Sequence, residues 1–288
     1  MIDAHIHVTN TGLPGIPEKF APNGAPFGGR IDLVADALKA EMMAAGISHV
    51  LGMPRWNGPK GDPLGINQTL RLATLVPGMH AVGLADPTET DDEHLERVED
   101  TLKTGKVKAL KAYSGYIHYG PDAPGYLPYF HLAAKYKIPI IFHTGDTYSH
   151  RAKVKYAHPL LVDEVAVDHP EVKFVLAHLG NPWLIDAAEV VYKNNKRGLR
   201  ENVWTDLSGL VVGNPSEFES MRRQGIIKEV IESVRKAFLY TERPDRFLYG
   251  SDWPLVPMAL YRNLIREIIP NEFHQAVFED NAKALFGL

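Results

Sequence analysis

The chain of 288 residues is 45% apolar and 23% charged, which is the composition of an ordinary globular protein. Its 31 Lys and Arg and 35 Asp and Glu give a net charge of −4 without long runs of either sign, which disfavours binding to nucleic acid or anionic membranes. The absence of cysteine excludes disulfides, thiolate nucleophiles and sulfur-ligated metals. No targeting or membrane-spanning pattern is visible, so we expect a soluble, cytoplasmic protein.

Apolar, β-rich runs alternate with stretches of helical spacing along the chain. The predicted strands are Ile2–Val8, His49–Met53, His80–Ala85, Val107–Tyr113, Ile138–His143, Lys173–His178, Val203–Leu207 and Phe247–Ser251. The predicted helices are Ile31–Ala45, Leu64–Leu75, Asp92–Lys103, Leu127–Lys135, Leu160–Val167, Leu184–Lys193, Ile226–Phe238 and Ala259–Ile268, and Asn271–Leu288 forms one or two short closing helices. Repeating units of about 35 residues predict an α/β fold, a (β/α)8 TIM barrel that forms a single domain over residues 1–288. An open doubly wound sheet is disfavoured because no glycine-rich phosphate loop follows the first strand.

Two histidines, His5 and His7, lie on the first predicted strand in the run Asp3-Ala4-His5-Ile6-His7. Because side chains alternate along a strand, both imidazoles point to one face while Ile6 points to the other. Burying the two rings without partners would leave ring nitrogens unsatisfied. The pair can instead bind a single ion, so it predicts part of a metal site.

Three further polar groups lie at the ends of later predicted strands. His143 and His178 each end a buried run before a glycine, and Asp252 follows the eighth run. Each alone is also typical of a core histidine or a capping aspartate. Because strand ends converge at one face of a parallel barrel, their coincidence with His5 and His7 predicts a shared site there. The long connections Thr9–Gly29 and Ser114–Pro124 also follow strands and are expected to border that face.

These motifs resemble those of the amidohydrolase superfamily. The matching runs are Asp3-Ala4-His5-Ile6-His7, Phe142-His143-Thr144-Gly145, Ala177-His178-Leu179-Gly180 and Gly250-Ser251-Asp252-Trp253-Pro254. The resemblance extends from His5 to the closing run Glu279–Phe286. More narrowly, the chain resembles the amidohydrolase-related branch, which includes aminocarboxymuconate-semialdehyde decarboxylase and γ-resorcylate decarboxylase alongside lactonases and other hydrolases. The motifs are specific for the superfamily and only weakly specific for the reaction.

The resemblance implies one divalent metal held by His5, His7, His143 and Asp252, with His178 beside the metal-bound water. Imidazole and carboxylate donors suit zinc first, with manganese, iron and cobalt as alternatives. Zinc lowers the pKa of bound water to about 7, and His178 or Asp252 is then the expected catalytic base. Asp206, near the end of the seventh predicted strand, is expected to have a structural or orienting role, such as fixing a ligand histidine.

Lys111 on the fourth strand leaves three alternatives open. It shares a strand face with Ala109 and Tyr113 and lies opposite Lys108, so one of the two lysines faces the barrel interior. An unmodified Lys111 would pair with an anionic substrate or a neighbouring acid. A carboxylated Lys111 would bridge two metals, as in binuclear members of the superfamily, and this is the less favoured alternative. A structural lysine would extend to solvent.

Residues near the predicted strand ends are candidate substrate contacts. A guanidinium can bind a carboxylate through two hydrogen bonds, and aromatic rings can wall a planar or apolar group. On these grounds the candidates are Arg55, Trp56, Lys111, Tyr116, His118 and Trp253.

Three functions agree with this site. The first is a metal-dependent hydrolase of a small ester, lactone or amide. The alternative is a nonoxidative decarboxylase or hydratase of an unsaturated or aromatic carboxylic acid, and the third is a barrel whose metal is only structural. In the first two cases the expected partner is a small-molecule substrate, with a carboxylate among the options, and the resemblance is compatible with a homodimer.

Overall fold

The computed structural model describes residues 1–8, 31–54, 61–196 and 201–288. Arg55, Trp56 and the connection Thr9–Gly29 lie outside the described residues. Eight parallel strands pair in chain order in one sheet. They are β1 (Ile2–His7), β2 (His49–Met53), β3 (Met79–Leu84), β4 (Val107–Ala112), β5 (Ile140–Phe142), β6 (Phe174–Leu176), β7 (Val203–Asp206) and β8 (Phe247–Leu248).

Main-chain hydrogen bonds between β1 and the segment after β8 bring the two edges of the sheet together. The amide of Ala4 donates to the Tyr249 carbonyl at 2.8 Å, and the amide of Asp252 donates to the His5 carbonyl at 2.8 Å. A parallel bridge between Ile6 and Trp253 continues this contact. The predicted (β/α)8 TIM barrel is therefore confirmed.

Helices surround the sheet between successive strands. Among the described residues they are α1 (Ile31–Ala45), α2 (Asn67–Ala73), α3 (Asp92–Lys103), α4 (Leu127–Tyr136), α5 (Leu160–Asp168), α6 (Leu184–Asn194), α7 (Pro215–Arg223), α8 (Ile226–Tyr240), α9 (Met258–Ile268) and α10 (Asn281–Phe286). None of the helices described is long and apolar enough to cross a membrane.

One helix, α7, was not predicted from the sequence. Its only buried residue is Phe218, so it lacks the apolar stripe from which helices are recognised. The signal that was present is a capping box, in which the Asn214 side chain accepts from the Glu217 amide while the Glu217 carboxylate accepts from the Asn214 amide. As a result, two helices instead of one connect β7 to β8.

The apolar side chains form two buried clusters on opposite sides of the sheet. The inner cluster fills the barrel with residues from every strand, such as Ala4, Val82, Ile141 and Leu248. The side chains Ala282, Leu285 and Phe286 of α10 belong to the same cluster, at the end of the barrel where the strands begin. The outer cluster packs the sheet against the surrounding helices. The barrel is therefore a packed core, and the space for a ligand lies at the other end.

A register shift in β1 directs its histidines to that end. The pairing with β2 shifts between Asp3 and Ile6, which indicates a β-bulge. The Asp3 carboxylate accepts a hydrogen bond from the His5 amide at 3.2 Å and from the Ser251 amide at 2.9 Å. After the bulge, Ile6 packs in the outer cluster, while the His5 and His7 rings lie close together with centroids 5.3 Å apart.

Candidate metal centre

Two side chains of β1 and one side chain of the segment after β8 converge at the C-terminal ends of the strands. Nε2 of His7 lies 3.3 Å from Oδ1 of Asp252, and Nε2 of His5 lies 3.8 Å from the same oxygen. One donor atom from each of His5, His7 and Asp252 lies within 4.8 Å of the other two. Two donors bound to zinc at about 2.0–2.1 Å in a tetrahedron are roughly 3.3 Å apart, so these separations suit one small cation.

The unsatisfied atoms of this cluster fit a bound cation. Nε2 of His5 and Oδ1 of Asp252 are both buried and have no hydrogen-bond partner among the described residues. Leaving two such acceptors unpaired costs free energy, and a cation between them would satisfy both. A divalent ion held by His5, His7 and Asp252 would act as a Lewis acid that polarises an oxygen and lowers the pKa of water.

The buried carboxylate of Asp206 fixes the orientation of His5. Its Oδ2 accepts a hydrogen bond from Nδ1 of His5 at 2.8 Å. Burial disfavours the charged form of Asp206, but His5, His178 and Lys111 together outweigh it and keep the pKa of this carboxyl below its usual range. Burial, with the nearby Lys111 ammonium, lowers the pKa of His5 to about 3. A neutral His5 that carries its proton on Nδ1 has a lone pair on Nε2, the nitrogen near Asp252.

A second group of donors formed by His5, His178 and Asp206 is also compact. In this group, Nδ1 of His5 and Oδ2 of Asp206 are already bonded to each other. The other oxygen of Asp206 accepts from the amides of His178 and Ser208, at 2.9 and 3.0 Å, and from the Ser208 hydroxyl. We therefore assign this group a supporting role, in which Asp206 orients His5 and His178.

The hydrogen bonds of His178 define its tautomer. Nδ1 of His178 lies 3.1 Å from the Ser208 carbonyl, which can only accept, so Nδ1 carries the proton. The Ser208 hydroxyl, 2.9 Å from the same nitrogen, donates its own proton to Asp206. Burial lowers the pKa of His178, which favours the neutral ring. Nε2 is then the unprotonated nitrogen and is able to accept a proton.

His143 lies beside His178, with ring centroids 4.9 Å apart, but it is outside both three-donor groups. Its Nε2 donates to the Asp146 carbonyl at 2.9 Å, and burial lowers its pKa well below the usual value. The structure therefore brings together three of the four predicted metal ligands, His5, His7 and Asp252. The fourth, His143, packs against the ring of His178 instead. Because Nε2 is bonded to the Asp146 carbonyl, Nδ1 is the nitrogen with which His143 could bind a metal ion.

The backbone at the site is held in unusual conformations. His178 and Asp252 have positive φ angles of 62° and 63°, in the left-handed region that costs energy for residues other than glycine. Gly209, also at φ 62°, passes directly over both side chains. A Cβ there would lie 2.8 Å from Nδ1 of His178 and 2.9 Å from Oδ2 of Asp252, so only glycine fits without displacing them.

Lys111 faces the same cavity from β4. The residue is 1% exposed, and its ammonium has no hydrogen-bond partner among the described residues. The ammonium lies 5.7 Å from the centre of the Tyr113 ring, a weak cation–π contact. Burial lowers the pKa of Lys111 to about 8, against the opposing effect of Asp206 and Asp252. Lys111 is thus a buried cation without a direct counterion contact.

A cavity of about 250 Å³ opens above these residues. Of the predicted substrate contacts, Lys111 and Tyr116 line it, and Tyr116 packs edge-on against His143 at 4.8 Å. His118 does not: it is exposed and bonds to the Arg151 carbonyl. Trp253 also lies elsewhere, 1% exposed in the outer apolar cluster. Its parallel bridge to Ile6, which packs in the same outer cluster, places Trp253 on that side of the sheet.

Several residues of the cavity were missed in the sequence. They are Tyr113, Tyr148 and Asn181 on the polar side and Leu210, Val211, Val212, Met221, Ile226, Val230 and Leu255 on the apolar side. Tyr113 shares the predicted face of Lys111, so alternation along β4 was a usable signal. The remaining side chains come from connections, from the unpredicted α7 and from the start of α8, for which strand periodicity gives no information.

The support role of Asp206 leads to a first prediction. Asp206→Asn should weaken metal binding about 10- to 100-fold, because a neutral amide holds the Nδ1 proton of His5 less strongly. Metal content after titration with a chelator measures this. Ser208→Ala is the matched control, since it leaves the contact between His5 and Asp206 intact and should retain the metal. Equal metal affinity in wild type and Asp206→Asn would contradict the role.

The comparisons with known proteins agree with this architecture. The family model described as amidohydrolase matches residues 2–288. The search of curated proteins gives no match. An uncharacterised TIM-barrel protein from Bordetella bronchiseptica is similar with a TM-score of 0.67 and 18% identity, covering 100% of this chain and 98% of that chain.

Two further solved structures are similar over 100% of this chain. An amidohydrolase from Burkholderia multivorans with bound zinc has a TM-score of 0.62 and 17% identity over 99% of its chain. A 5-carboxyvanillate decarboxylase from Novosphingobium aromaticivorans was solved with manganese and 4-hydroxy-3-methoxy-5-nitrobenzoic acid. It has a TM-score of 0.62 and 14% identity over 96% of its chain. At these identities the structures show a shared fold. The family match covers almost the entire sequence, and on this evidence the chain belongs to the amidohydrolase family.

Proposed function

We propose that this chain is a metal-dependent, nonoxidative carboxy-lyase that removes CO2 from a small aromatic or unsaturated carboxylic acid. The observation that carries the proposal is the position of Lys111, a buried ammonium without a hydrogen-bond partner that lines the same cavity as the metal donors. A buried cation is stable when an anion pairs with it, and a substrate carboxylate supplies one. The decarboxylase structure described above supports the same choice of reaction.

We propose a site for one divalent ion, held by His5, His7 and Asp252, with His143 as the fourth candidate ligand. Zinc and manganese are the ions found in the similar structures, and either suits nitrogen and carboxylate donors. Lys111 is then unmodified and binds the substrate. Its pKa of about 8 keeps the ammonium charged at neutral pH, as this role requires.

The proposed reaction breaks the bond between the carboxyl carbon and its neighbour. CO2 leaves, the electron pair stays on the neighbouring carbon, and that carbon takes up one proton. The Lys111 ammonium can donate the proton that this carbon takes up, and Nε2 of neutral His178 can accept a proton from a hydroxyl group of the substrate or from water. The buried environment also removes water from the carboxylate, which favours its conversion to neutral CO2.

Hydrolysis of a small ester, lactone or amide is the second candidate. The tautomer of His178 supports it, because an unprotonated Nε2 is the form needed to take a proton from an attacking water. The same groups thus serve either reaction, and the products distinguish them.

A product assay tests the proposal. The metal-loaded protein would be incubated with hydroxybenzoates and unsaturated acids, with CO2 detected as bicarbonate, and with lactones, esters and amides, with hydrolysis detected as proton release. We expect CO2 from at least one acid and none after metal removal. Hydrolysis of the neutral substrates without CO2 from any acid would overturn the carboxy-lyase proposal in favour of the hydrolase.

The role of Lys111 makes a second prediction. Lys111→Met should raise KM for a carboxylate substrate about 10- to 100-fold, because a hydrogen bond to a charged group contributes about 1.5–3 kcal/mol. The KM for a neutral ester should not change. Since the ammonium has no hydrogen-bond partner, its loss should not lower the melting temperature.

The matched control is Lys108→Met on the same strand, whose ammonium bonds to the Gly287 carbonyl outside this cavity. It should leave both KM values unchanged. If Lys111→Met raised KM equally for charged and neutral substrates, the ammonium would not be the carboxylate contact.

A further inference from the structure

The cavity has two chemically different walls. His7, Asp252, His178 and Lys111 stand on the polar wall. The aliphatic wall includes Leu210, Val211, Met221, Ile226, Val230 and Leu255, which follow β7 and β8 and therefore stand across the barrel from Lys111 on β4. Among the residues described as lining the cavity, Lys111 is the only lysine or arginine, and it stands on the polar wall.

Apart from Leu255, which follows β8, the aliphatic wall comes from the segment between β7 and β8, which contains the additional helix α7. Leu210 and Val211 follow β7 and are buried, whereas Ile226 at the start of α8 is 43% exposed. Val230 lies four residues after Ile226, so both stand on one face of α8. The wall is thus buried at its base and open at the cavity mouth, where an apolar ligand would remove the exposed side chains from water.

The size and charge of the cavity restrict what can occupy it. Its volume of about 250 Å³ lies below the range of about 300–1,000 Å³ that is usual for drug-sized ligands, so the occupant is small. Lys111 and the proposed divalent ion both stand on the polar wall, so an anionic group of the ligand finds a cation only there. A second anionic group on the ligand would meet aliphatic side chains that cannot pair with it, at the cost of desolvating a charge.

We infer that the aliphatic wall is an apolar subsite, and that the ligand class of this protein is a small monocarboxylate whose end opposite the acid is a hydrocarbon group. This inference rests on the proposed function, which places the carboxylate of the ligand at Lys111. It adds the chemical nature of the opposite end of the ligand. Each methylene buried against the wall should tighten binding about fourfold.

Binding of inhibitors tests the subsite without turnover. Dissociation constants of benzoate, 4-methylbenzoate, 4-ethylbenzoate and terephthalate would be measured by calorimetry on the zinc-loaded protein. We expect affinity to rise about fourfold with each added carbon of the alkyl series, and terephthalate, with a carboxylate in place of the methyl group, to bind at least tenfold more weakly than 4-methylbenzoate. A flat alkyl series, tighter binding of terephthalate, or no binding of any of these acids would overturn the inference.

Two variants of α8 locate the effect. Ile226→Asn changes an exposed apolar residue of the aliphatic wall, and Leu239→Asn changes one that is 55% exposed on the same helix but does not line the cavity. Ile226→Asn should flatten the alkyl series and leave benzoate binding within about twofold, whereas Leu239→Asn should keep the wild-type series. Met221→Gln is a second test if Ile226→Asn does not fold. If affinity rose with alkyl length equally in wild type, Ile226→Asn and Met221→Gln, the assignment of the aliphatic wall as the apolar subsite would be wrong.

The failure of this inference and that of the proposed function are distinguishable. A flat alkyl series together with CO2 release from an acid overturns the apolar subsite alone. A rising alkyl series without CO2 release from any acid supports the subsite and overturns the carboxy-lyase proposal.

Discussion

His178→Asn is expected to reduce turnover by about 10²- to 10⁴-fold while the protein keeps its metal, because the variant loses the group that exchanges a proton with substrate or water. In the compact group that His178 forms with His5 and Asp206, Nδ1 of His5 and Oδ2 of Asp206 are already bonded to each other. His178 is therefore placed to act on the substrate and not as a ligand. Turnover and elemental analysis of the same preparation measure the two effects.

His118→Asn is the matched control for this substitution. His118 is exposed and bonds to the Arg151 carbonyl away from the cavity, so its replacement should leave kcat unchanged. If His178→Asn lost the metal in proportion to its activity, His178 would be a ligand and the assignment of its role would be wrong.

Asp252→Asn is expected to weaken metal binding at least about 100-fold and to abolish turnover, because an amide replaces the one charged oxygen shared by His5 and His7. Substitution of residues that only support ligands already costs about 10- to 100-fold in affinity. Oδ1 of Asp252 lies 3.3 and 3.8 Å from the two imidazoles and has no other partner among the described residues. Chelator competition and elemental analysis measure the affinity and the metal content.

The exposed Asp168→Asn at the end of α5 is the control and should bind metal as the wild type does. Two other outcomes for Asp252→Asn would contradict the proposal. Retention of metal and turnover would exclude Asp252 as a ligand. If the wild type had no activity towards any acid or ester and Asp252→Asn changed only the melting temperature, the metal would have a structural role.

The sequence was sufficient to predict the barrel because each βα unit repeats the same physical pattern. Strand patterns also placed His5, His7 and Asp252 at one end of the barrel, where the structure brings them together. The bulge in β1 was not predictable, and it breaks the alternation between Ala4 and His5; from His5 to His7 the alternation holds and puts Ile6 on the opposite face. The site was therefore predictable where strand geometry alone decides position.

Prediction was less successful where a side chain is positioned by a connection. Trp253 adjoins a metal-ligand candidate in sequence but packs in the outer cluster, and His118 lies on a loop whose path no periodicity specifies. The aliphatic wall with Met221 depends on α7, a helix whose capping residues are visible in the sequence but whose buried face is not. The residues that carry chemistry were thus easier to predict than those that select the substrate.

The contact between β1 and the segment after β8 has a consequence for folding. The proposed ligands stand on both sides of this seam, so a chain whose barrel is still open there cannot present them together. Ion affinity would then belong to the closed barrel alone, and by linkage a bound ion would oppose every partly unfolded form in which the seam separates. Dissociation of the ion should accordingly be coupled to local opening of the seam, and the metal would influence how long the barrel survives as well as what it catalyses.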